Sequence, residues 1–466
     1  MKFSKLSLAV AILACGTCVA GAADSLSEAF GNGNLSATIK ATYADQTNEN
    51  SAYRNEHIFA TGIELRYVTD PLYGFKLGLS MQASGNPFSL EQNERRMFSR
   101  DWYANGLVLS EAYLEYLIGK TDIKAGRQYM QMPLVAGNYS RAFKESFEGV
   151  TISNKNIPKT EISGGWFYKF QGRTSHTATD KIGRAPYFKN KVVLGGYGPA
   201  AREFDNIYTA NVISKPVEGL KLTGSYAHVS DYDFAANYKE TDVNLYLAEL
   251  NFITPIIFDI LKLGLDINYK GSKLNGEFEK MHYDGDMLGV RASIKDFGGF
   301  GLSYAYTTVS DGDELIFGVG FGPGSYTSLP IRGPFAYTGY AGMDTHKVGL
   351  DYDFGKIGAK GLKANFQYSW GDQDVPKHRA GHTPAGQNSR IGGFSTGVKY
   401  AVPSVKGLNF GVTYTSLNKK IYNSGVKHKD FDQNEVWVQF SYKFDFSKDC
   451  CSIDLSSLGL EFARII

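Results

Sequence analysis

The chain has 466 residues, of which 43% are hydrophobic and 21% charged, and its formal net charge is +2. This balance gives no support to nucleic-acid binding, which needs a strongly basic surface. Cys15, Cys18, Cys450 and Cys451 show neither a disulfide framework nor zinc spacing. Abundant Gly (52), Tyr (30) and Phe (30) favour an all-β protein with many turns.

The N-terminus reads as an export signal. Lys2 and Lys5 precede an apolar run at 6–19 and the small residues 20–23. This order predicts a secretory signal peptide at 1–22, with cleavage after Ala23 or lipidation at Cys15 as the alternatives. Its removal lowers the Lys and Arg total from 49 to 47, which equals the Asp and Glu total. No later run of about 18 apolar residues follows, so a secreted chain of this kind is either soluble or a membrane barrel.

Two-residue alternation of apolar and polar side chains recurs along the chain. It is clearest at 35–43, 261–270, 288–295, 362–370 and 436–444. The runs are about ten residues long, which is enough to cross a bilayer when the strands are tilted. Strands of a soluble sandwich are mostly shorter. Tyr or Phe often closes the apolar row, as in the aromatic girdles of outer-membrane barrels.

The connections alternate in length. Short turns are predicted at 70–75, 215–220, 296–299 and 402–408, and long polar stretches at 84–106, 132–146, 173–204, 310–344, 372–390 and 417–433. Short periplasmic turns with long extracellular loops are typical of bacterial outer-membrane barrels. We therefore expect a transmembrane antiparallel β-barrel of about 18 strands at 23–446. Residues 447–466, which contain Cys450 and Cys451, are predicted to form a periplasmic tail.

Charged residues fall on the polar phase of many predicted strands, which should face the lumen. The basic set is Lys40, Lys76, Lys124, Lys262, Arg291, Lys347, Lys363 and Lys399, and the acidic set is Glu111, Glu115, Glu249, Asp266 and Asp351. A basic row facing an acidic row would create a transverse field that favours ions and zwitterions. The alternative is ordinary lumen charge solvated by pore water.

The third long loop and its flanks, 126–149, resemble the OprD-type outer-membrane porins. The resemblance rests on Lys-Ala-Gly-Arg-Gln at 124–128, Pro-Leu-Val at 133–135, Ser-Arg at 140–141, Phe-Glu-Gly at 147–149 and Gln-Gly-Arg-Thr-Ser at 171–175. It implies an 18-stranded barrel whose third and seventh loops narrow the pore. It also implies a ladder of basic side chains that guides carboxylate-bearing solutes.

Carried over by position, Arg141 matches the constriction arginine, and Lys40 and Lys399 match basic residues of the first and a late strand. Gln367, Gly411 and Thr413 stand where further arginines are expected, which puts strict carboxylate selectivity in doubt. The predicted constriction residues are Arg141, Lys144, Glu145, Glu148, Tyr337 and Tyr340. Tyr337, Tyr340 and Asp344 either face Arg141 across the aperture or belong to an exposed aromatic loop.

These patterns predict a porin, a passive diffusion channel of the bacterial outer membrane for ions and other small hydrophilic solutes. We expect no enzymatic activity, cofactor or metal, and we interpret the acidic stretch 311–314 as solvated loop charge rather than a Ca²⁺ site. The expected partners are membrane lipid, lipopolysaccharide and the barrel-insertion machinery. Both a monomer and a homo-oligomer fit the pattern. The alternative functions are a barrel hydrolase with a rim His such as His346, or a surface adhesin with a blocked lumen.

Overall fold

The computed structural model describes residues 23–50, 55–85, 102, 105–173, 184–196, 201–233, 241–255, 261–275, 282–331, 338–374, 378 and 383–446. The predicted signal peptide 1–22, the predicted tail 447–466 and Tyr337 lie outside these residues, so they stay predictions. Within the described ranges, no helix has the length and apolar character needed to span a membrane.

The described residues form one closed sheet of 18 antiparallel strands. Two small sheets in the loops pair Lys191–Val192 with Arg202–Glu203 and Leu194–Gly195 with Gly318–Val319. The strands of the closed sheet are β1 Asn34–Glu49, β2 Glu56–Val68, β3 Phe75–Gly85, β4 Gly106–Ile118, β5 Thr121–Gln128, β6 Ser146–Asn154, β7 Thr160–Gln171, β8 Asn206–Ser214, β9 Leu220–Tyr232, β10 Thr241–Ile253, β11 Lys262–Leu274, β12 Asp286–Phe297, β13 Phe300–Val309, β14 Met343–Asp353, β15 Leu362–Gln373, β16 Asn388–Ala401, β17 Leu408–Asn423 and β18 Val426–Asp445. A short helix, α1 (Leu26–Gly31), precedes β1, and a 3-10 turn (Phe354–Ile357) follows β14.

Each strand pairs with its sequence neighbour, and β1 pairs with β18 to close the barrel. The closing register runs from Ser36 opposite Asp445 to Glu49 opposite Asp432. Closure gives the backbone N–H and C=O groups partners within the sheet, which is the condition for crossing hydrocarbon. The predicted fold class, a transmembrane β-barrel of about 18 strands, is confirmed.

The apolar phase of the strands faces outward. Ile39, Ile63, Leu114, Phe366 and Val438 are each 39–50% exposed on the barrel exterior. The opposite phase carries the buried polar groups, such as Glu64 and Thr307. The alternation read in the sequence therefore separates a lipid-facing surface from a lumen.

The predicted long loop at 417–433 is wrong. β17 and β18 continue to Asn423 and Val426 and are joined by a two-residue turn, Ser424-Gly425, with φ of 49° and 82°. Left-handed conformations at both positions suit a tight hairpin. The apolar phase is reversed at these strand ends: Leu417 and Ile421 are buried inside the barrel, while Asn418 and Lys420 on the outward phase are polar. This reversal hid the strands, because beyond the bilayer a hairpin needs no apolar outer face.

The hydrophobic core lies inside the barrel, where loop residues pack on lumen-facing residues. Phe147, Phe167 and Phe170 from β6 and β7 are fully buried with Val135 and Val193 from two loops. This core fixes the positions of the loops that fill part of the lumen.

Candidate pore constriction

We define L3 as residues 129–145, between β5 and β6. Its first half is a narrow turn in which Met132 N donates to Val135 O (3.0 Å) and Gly137 N donates to Met130 O (2.9 Å). Tyr139 OH donates to Met130 O at 3.2 Å. Burial raises the pKa of Tyr139, so its phenol stays protonated and keeps this bond.

The end of L3 is bound to the inner wall of β2, β3 and β7. Lys144 N donates to Gln82 Oε1 (2.8 Å), and Lys144 O accepts from Gln171 Nε2 (2.9 Å). Lys144 Nζ lies 2.6 Å from Glu64 Oε2. Glu64 is the ninth of the 13 residues of β2. L3 therefore contacts the wall well inside the barrel.

Arg141 lies against two tryptophans. Its guanidinium is 3.8 Å from the Trp102 ring centroid and 5.1 Å from that of Trp437 on β18. Its carbonyl accepts from Lys40 Nζ at 3.4 Å, and Lys40 is the seventh of the 16 residues of β1. Only 5% of Arg141 is exposed, so the charge is held by cation–π contact between a loop tryptophan and a wall tryptophan.

L3 is joined to L7, which we define as residues 310–342. Val319 N donates to Leu134 O (2.8 Å), and Ala136 N donates to Val319 O (3.0 Å). The fully buried Glu145 accepts from Asn138 N (2.8 Å) and Phe321 N (3.0 Å) through the same oxygen. This carboxylate thus ties both loops together by charge-assisted hydrogen bonds.

Gly320 lies at the centre of this junction. Its φ is +82°, and a Cβ there would meet Ala136 O at 2.3 Å. Gly320 N also donates to Val193 O (2.9 Å), and Phe317 N donates to Gly195 O (2.8 Å). Residues from the loop between β7 and β8 therefore extend the junction into a small three-part sheet.

L7 contacts the opposite sector of the wall through cations. Lys347 Nζ on β14 donates to Ser328 O at 3.0 Å, and Lys270 Nζ on β11 donates to Gly324 O. Arg291 lies 4.6 Å from the Tyr326 ring centroid. Tyr326 OH donates to Glu249 Oε1 at 2.5 Å, and burial raises the pKa of Tyr326, which keeps this donor protonated.

Several predicted lumen charges form ion pairs. Lys124 lies 3.9 Å from Glu115, and Arg291 lies 2.8 Å from Asp266. Glu111 lies 2.7 Å from Arg66.

A second group of predicted lumen charges lies near the short-turn end of the barrel. Lys363 is bound to Asp353 at 3.1 Å and is mostly exposed. Its register partner Lys399 is exposed, as are Lys262 and Asp351. Lys76 lies opposite Glu115 in the register of β3 and β4.

Of the residues predicted at the constriction, Glu148 lies elsewhere and Tyr340 is buried within the packed part of L7. Glu148 shares the outward face of β6 with Val150 and Ile152, which are 37% and 48% exposed. Tyr340 is buried with Leu329 and Ile331. Asp344 accepts from Tyr306 OH (2.9 Å) on the outward phase of β14, so it does not face Arg141.

Sequence reasoning missed several residues of this region. Glu64 and Lys270 are on the polar phase of their strands, and this signal could have singled them out. Trp102, Trp437 and Tyr326 gave no such signal, because their contacts depend on how the loops fold.

Comparison with known proteins agrees with this architecture. The family model described as outer membrane porin, OprD family, matches residues 70–445. No curated protein sequence matches the chain closely enough to count as a relative.

Solved structures give the same fold at low identity. OccAB3 of Acinetobacter baumannii is similar with a TM-score of 0.70 and 15% identity, covering 89% of this chain and 99% of that one. OccK8 (OprE) of Pseudomonas aeruginosa is similar with a TM-score of 0.67 and 17% identity, covering 89% and 98%. The match over most of the chain, together with the closed 18-stranded barrel, shows that this protein belongs to the OprD family of outer membrane porins.

Proposed function

We propose that this porin lets small hydrophilic solutes diffuse through a lumen narrowed by L3 and L7, with a preference for anions that includes carboxylate-bearing nutrients. The observation that supports the narrowing most directly is the contact of L3 with Lys40 and Glu64, halfway along the barrel wall. A loop confined to the outer surface could not reach these residues. No energy source is needed, since the solute moves down its gradient.

The charges around the two loops favour anions by a small margin. Near L3, the cations Lys40, Arg141 and Lys144 adjoin the carboxylates Glu64 and Glu145. Near L7, the cations Lys270, Arg291 and Lys347 adjoin the carboxylates Glu249 and Asp266. Each described cluster therefore carries one surplus positive charge. Such a surplus in a narrow water-filled pore concentrates anions.

The test is single-channel recording of the refolded full chain in a planar bilayer. Under a KCl gradient, we expect discrete conductance steps and a reversal potential on the chloride side. Replacing chloride with small mono- and dicarboxylates should preserve the current. Steps with cation preference would overturn the proposed anion selectivity.

Two other functions make different predictions. A folded barrel with no steps would contradict the channel and favour a structural or adhesive role. A rim hydrolase would lose activity on mutation of His346. His346 stacks on Trp370 and bonds with Tyr304 OH at 2.7 Å, which accounts for this residue without catalysis.

A further inference from the structure

A charged cluster lies on the outer face of β5, β6 and β7. In the register of these strands Arg127 lies opposite Glu148, and Glu148 lies opposite Lys169. The carboxylate of Glu148 is 3.0 Å from Arg127 Nε and 3.7 Å from Lys169 Nζ. Tyr168 OH also donates to Glu148 at 2.9 Å. We call Arg127, Glu148 and Lys169 the outer cluster.

The outer cluster faces away from the lumen. Glu148 shares its face of β6 with the exposed residues Val150 and Ile152, while Phe147 on the other face is buried inside the barrel. Trp166, 41% exposed, lies beside Tyr168 on the same outer surface. The cluster would therefore contact lipid rather than permeating solute.

The position of the outer cluster along the barrel axis decides how much its charges cost in the membrane. Arg127 is the last residue but one of the eight-residue β5, and its register partner Ala112 is the seventh of the 13 residues of β4. Lys169 is the third residue from the end of β7. The cluster therefore lies between the middle of the barrel wall and its long-loop end. In outer-membrane barrels this end faces the outside of the cell. Charged side chains cost about 2–4 kcal/mol at the membrane midplane but about 0–1 kcal/mol near the interface, so a position toward the long-loop end lowers the cost of the cluster.

The cations are more accessible than the carboxylate between them. The side chains of Arg127 and Lys169 are 34% and 42% exposed, and that of Glu148 is 14% exposed. Glu148 thus orients the two cations while their outer surfaces stay available. The adjoining segment brings further basic residues, because Lys189 pairs through its backbone with Phe170 and the exposed Arg184 pairs with Asn105.

Three other described exterior sites toward the long-loop end are acidic or paired. Tyr269 OH donates to Asp286, and Tyr306 OH donates to Asp344. Arg390 lies over the Tyr422 ring but is bound one-to-one to Asp372 at 2.9 Å. A phosphate at the outer leaflet would therefore be attracted more to the outer cluster than to these three sites. Lys273 and Lys420 are further exposed cations on the outward phase of their strands.

We propose that Arg127 and Lys169 bind a phosphate group of lipopolysaccharide in the outer leaflet. Arg binds phosphate through two parallel N–H donors, and Lys adds a point charge beside it. Trp166, three residues before Lys169 on β7, would contact the lipid below the phosphate. The Phe188 ring, whose centroid is 4.5 Å from the Arg127 guanidinium, holds this cation in place.

The experiment titrates the refolded full chain in detergent with bis-phosphorylated lipid A and measures the bound lipid by native mass spectrometry. The double variant Arg127→Gln/Lys169→Gln should bind roughly tenfold more weakly, because it loses two charge-assisted contacts. The matched control Arg390→Gln, an outward arginine at the same end, should bind within about twofold of wild type.

Further arms decide the source of the phosphate and check folding. Dephosphorylated lipid A should bind the wild type as weakly as the double variant binds lipid A. The charge-preserving variant Lys169→Arg should retain binding, and channel conductance of the double variant should be unchanged.

Equal binding of lipid A by the wild type and a folded double variant would contradict the proposal. Binding of inorganic phosphate with no selection for lipid A would assign the cluster to free phosphate and would also overturn it.

Discussion

L3 and L7 are fixed to the inner wall of the barrel by largely opposite chemistry, apart from Lys40, a wall cation that donates to the Arg141 carbonyl of L3. L3 brings cations to the wall: Lys144 meets Glu64, and Arg141 lies on Trp102 and Trp437. L7 brings acceptors and an aromatic ring to a basic wall, where Lys347 and Lys270 donate to its carbonyls. Removing Lys144 or Arg141 should therefore weaken the attachment of L3 by changing the loop. Removing Lys347 or Lys270 should weaken the attachment of L7 by changing the wall.

The two loops also differ in how far they depend on each other. Backbone hydrogen bonds at Leu134, Ala136 and Val319 join them, and Glu145 closes the junction from the L3 side. The wall contacts of either loop do not pass through this junction. Breaking the junction should therefore loosen both loops, whereas breaking a wall contact should alter one loop only.

The largest effect is expected from Glu145→Ala. It removes the acceptor of Asn138 N and Phe321 N, and each buried N–H left without a partner costs about 1–3 kcal/mol. L3 and L7 should then separate part of the time, which raises both the mean conductance and the open-channel noise in single-channel recordings.

Glu145→Gln is the matched control, since its amide oxygen can still accept one or both hydrogen bonds. Its mean conductance and open-channel noise should lie between those of Glu145→Ala and those of the wild type. If Glu145→Ala gave wild-type conductance and noise, the junction would not hold the loops together.

The next effect is a loss of anion preference in Arg141→Ala. This change removes a charge from L3 and a stacking contact on two tryptophans worth up to about 2 kcal/mol when desolvated. The reversal potential under a KCl gradient should shift toward potassium. Arg141→Lys, which keeps the charge, should shift it less, and unchanged selectivity in the alanine variant would rule out a role for this charge.

A smaller effect is expected from Lys347→Gln on the L7 side. The variant loses one positive charge from the lumen wall and the bond to Ser328 O. The anion-to-cation permeability ratio should fall by roughly half, while conductance noise stays at the wild-type level because the junction is intact.

Lys363→Gln serves as its control. Lys363 is 65% exposed and paired with Asp353 near the short-turn end, and exposed pairs contribute little. A shift as large in Lys363→Gln as in Lys347→Gln would show that selectivity reflects total charge and not the region around L7.

Local pattern was enough to predict the barrel but not the arrangement of its loops. Successive side chains of a strand point to opposite faces, so the local pattern alone assigns Ile39 and Lys40 to opposite sides of the sheet. Lys144 and Arg141 were recognised as functional candidates because they lie in a long polar loop. Their partners Glu64 and Trp102 are distant in sequence, and no period links them.

Glu148 also shows that local pattern does not determine where a residue near a loop lies. It lies three residues after Glu145, yet it belongs to β6 and faces lipid, whereas Glu145 belongs to L3 and is buried inside the barrel. The sequence does not mark the boundary between loop and strand at this point. Residues on either side of that boundary therefore received the same predicted role.

The smallest expected effect is that of Tyr326→Phe, which tests whether L7 shields the acidic part of the wall. The phenol donates to Glu249, and loss of one such bond to a charged group costs about 1.5–3 kcal/mol when the carboxylate cannot be resolvated. Glu249 in this wet lumen can bind water instead, so stability should change little and the carboxylate should become more available to cations. We expect a slight shift of the reversal potential toward potassium, smaller than that of Lys347→Gln. Because burial raises the pKa of Tyr326, the wild-type selectivity should not change between about pH 7 and 9 through this phenol, and a titration there that Tyr326→Phe abolishes would contradict its protonated state.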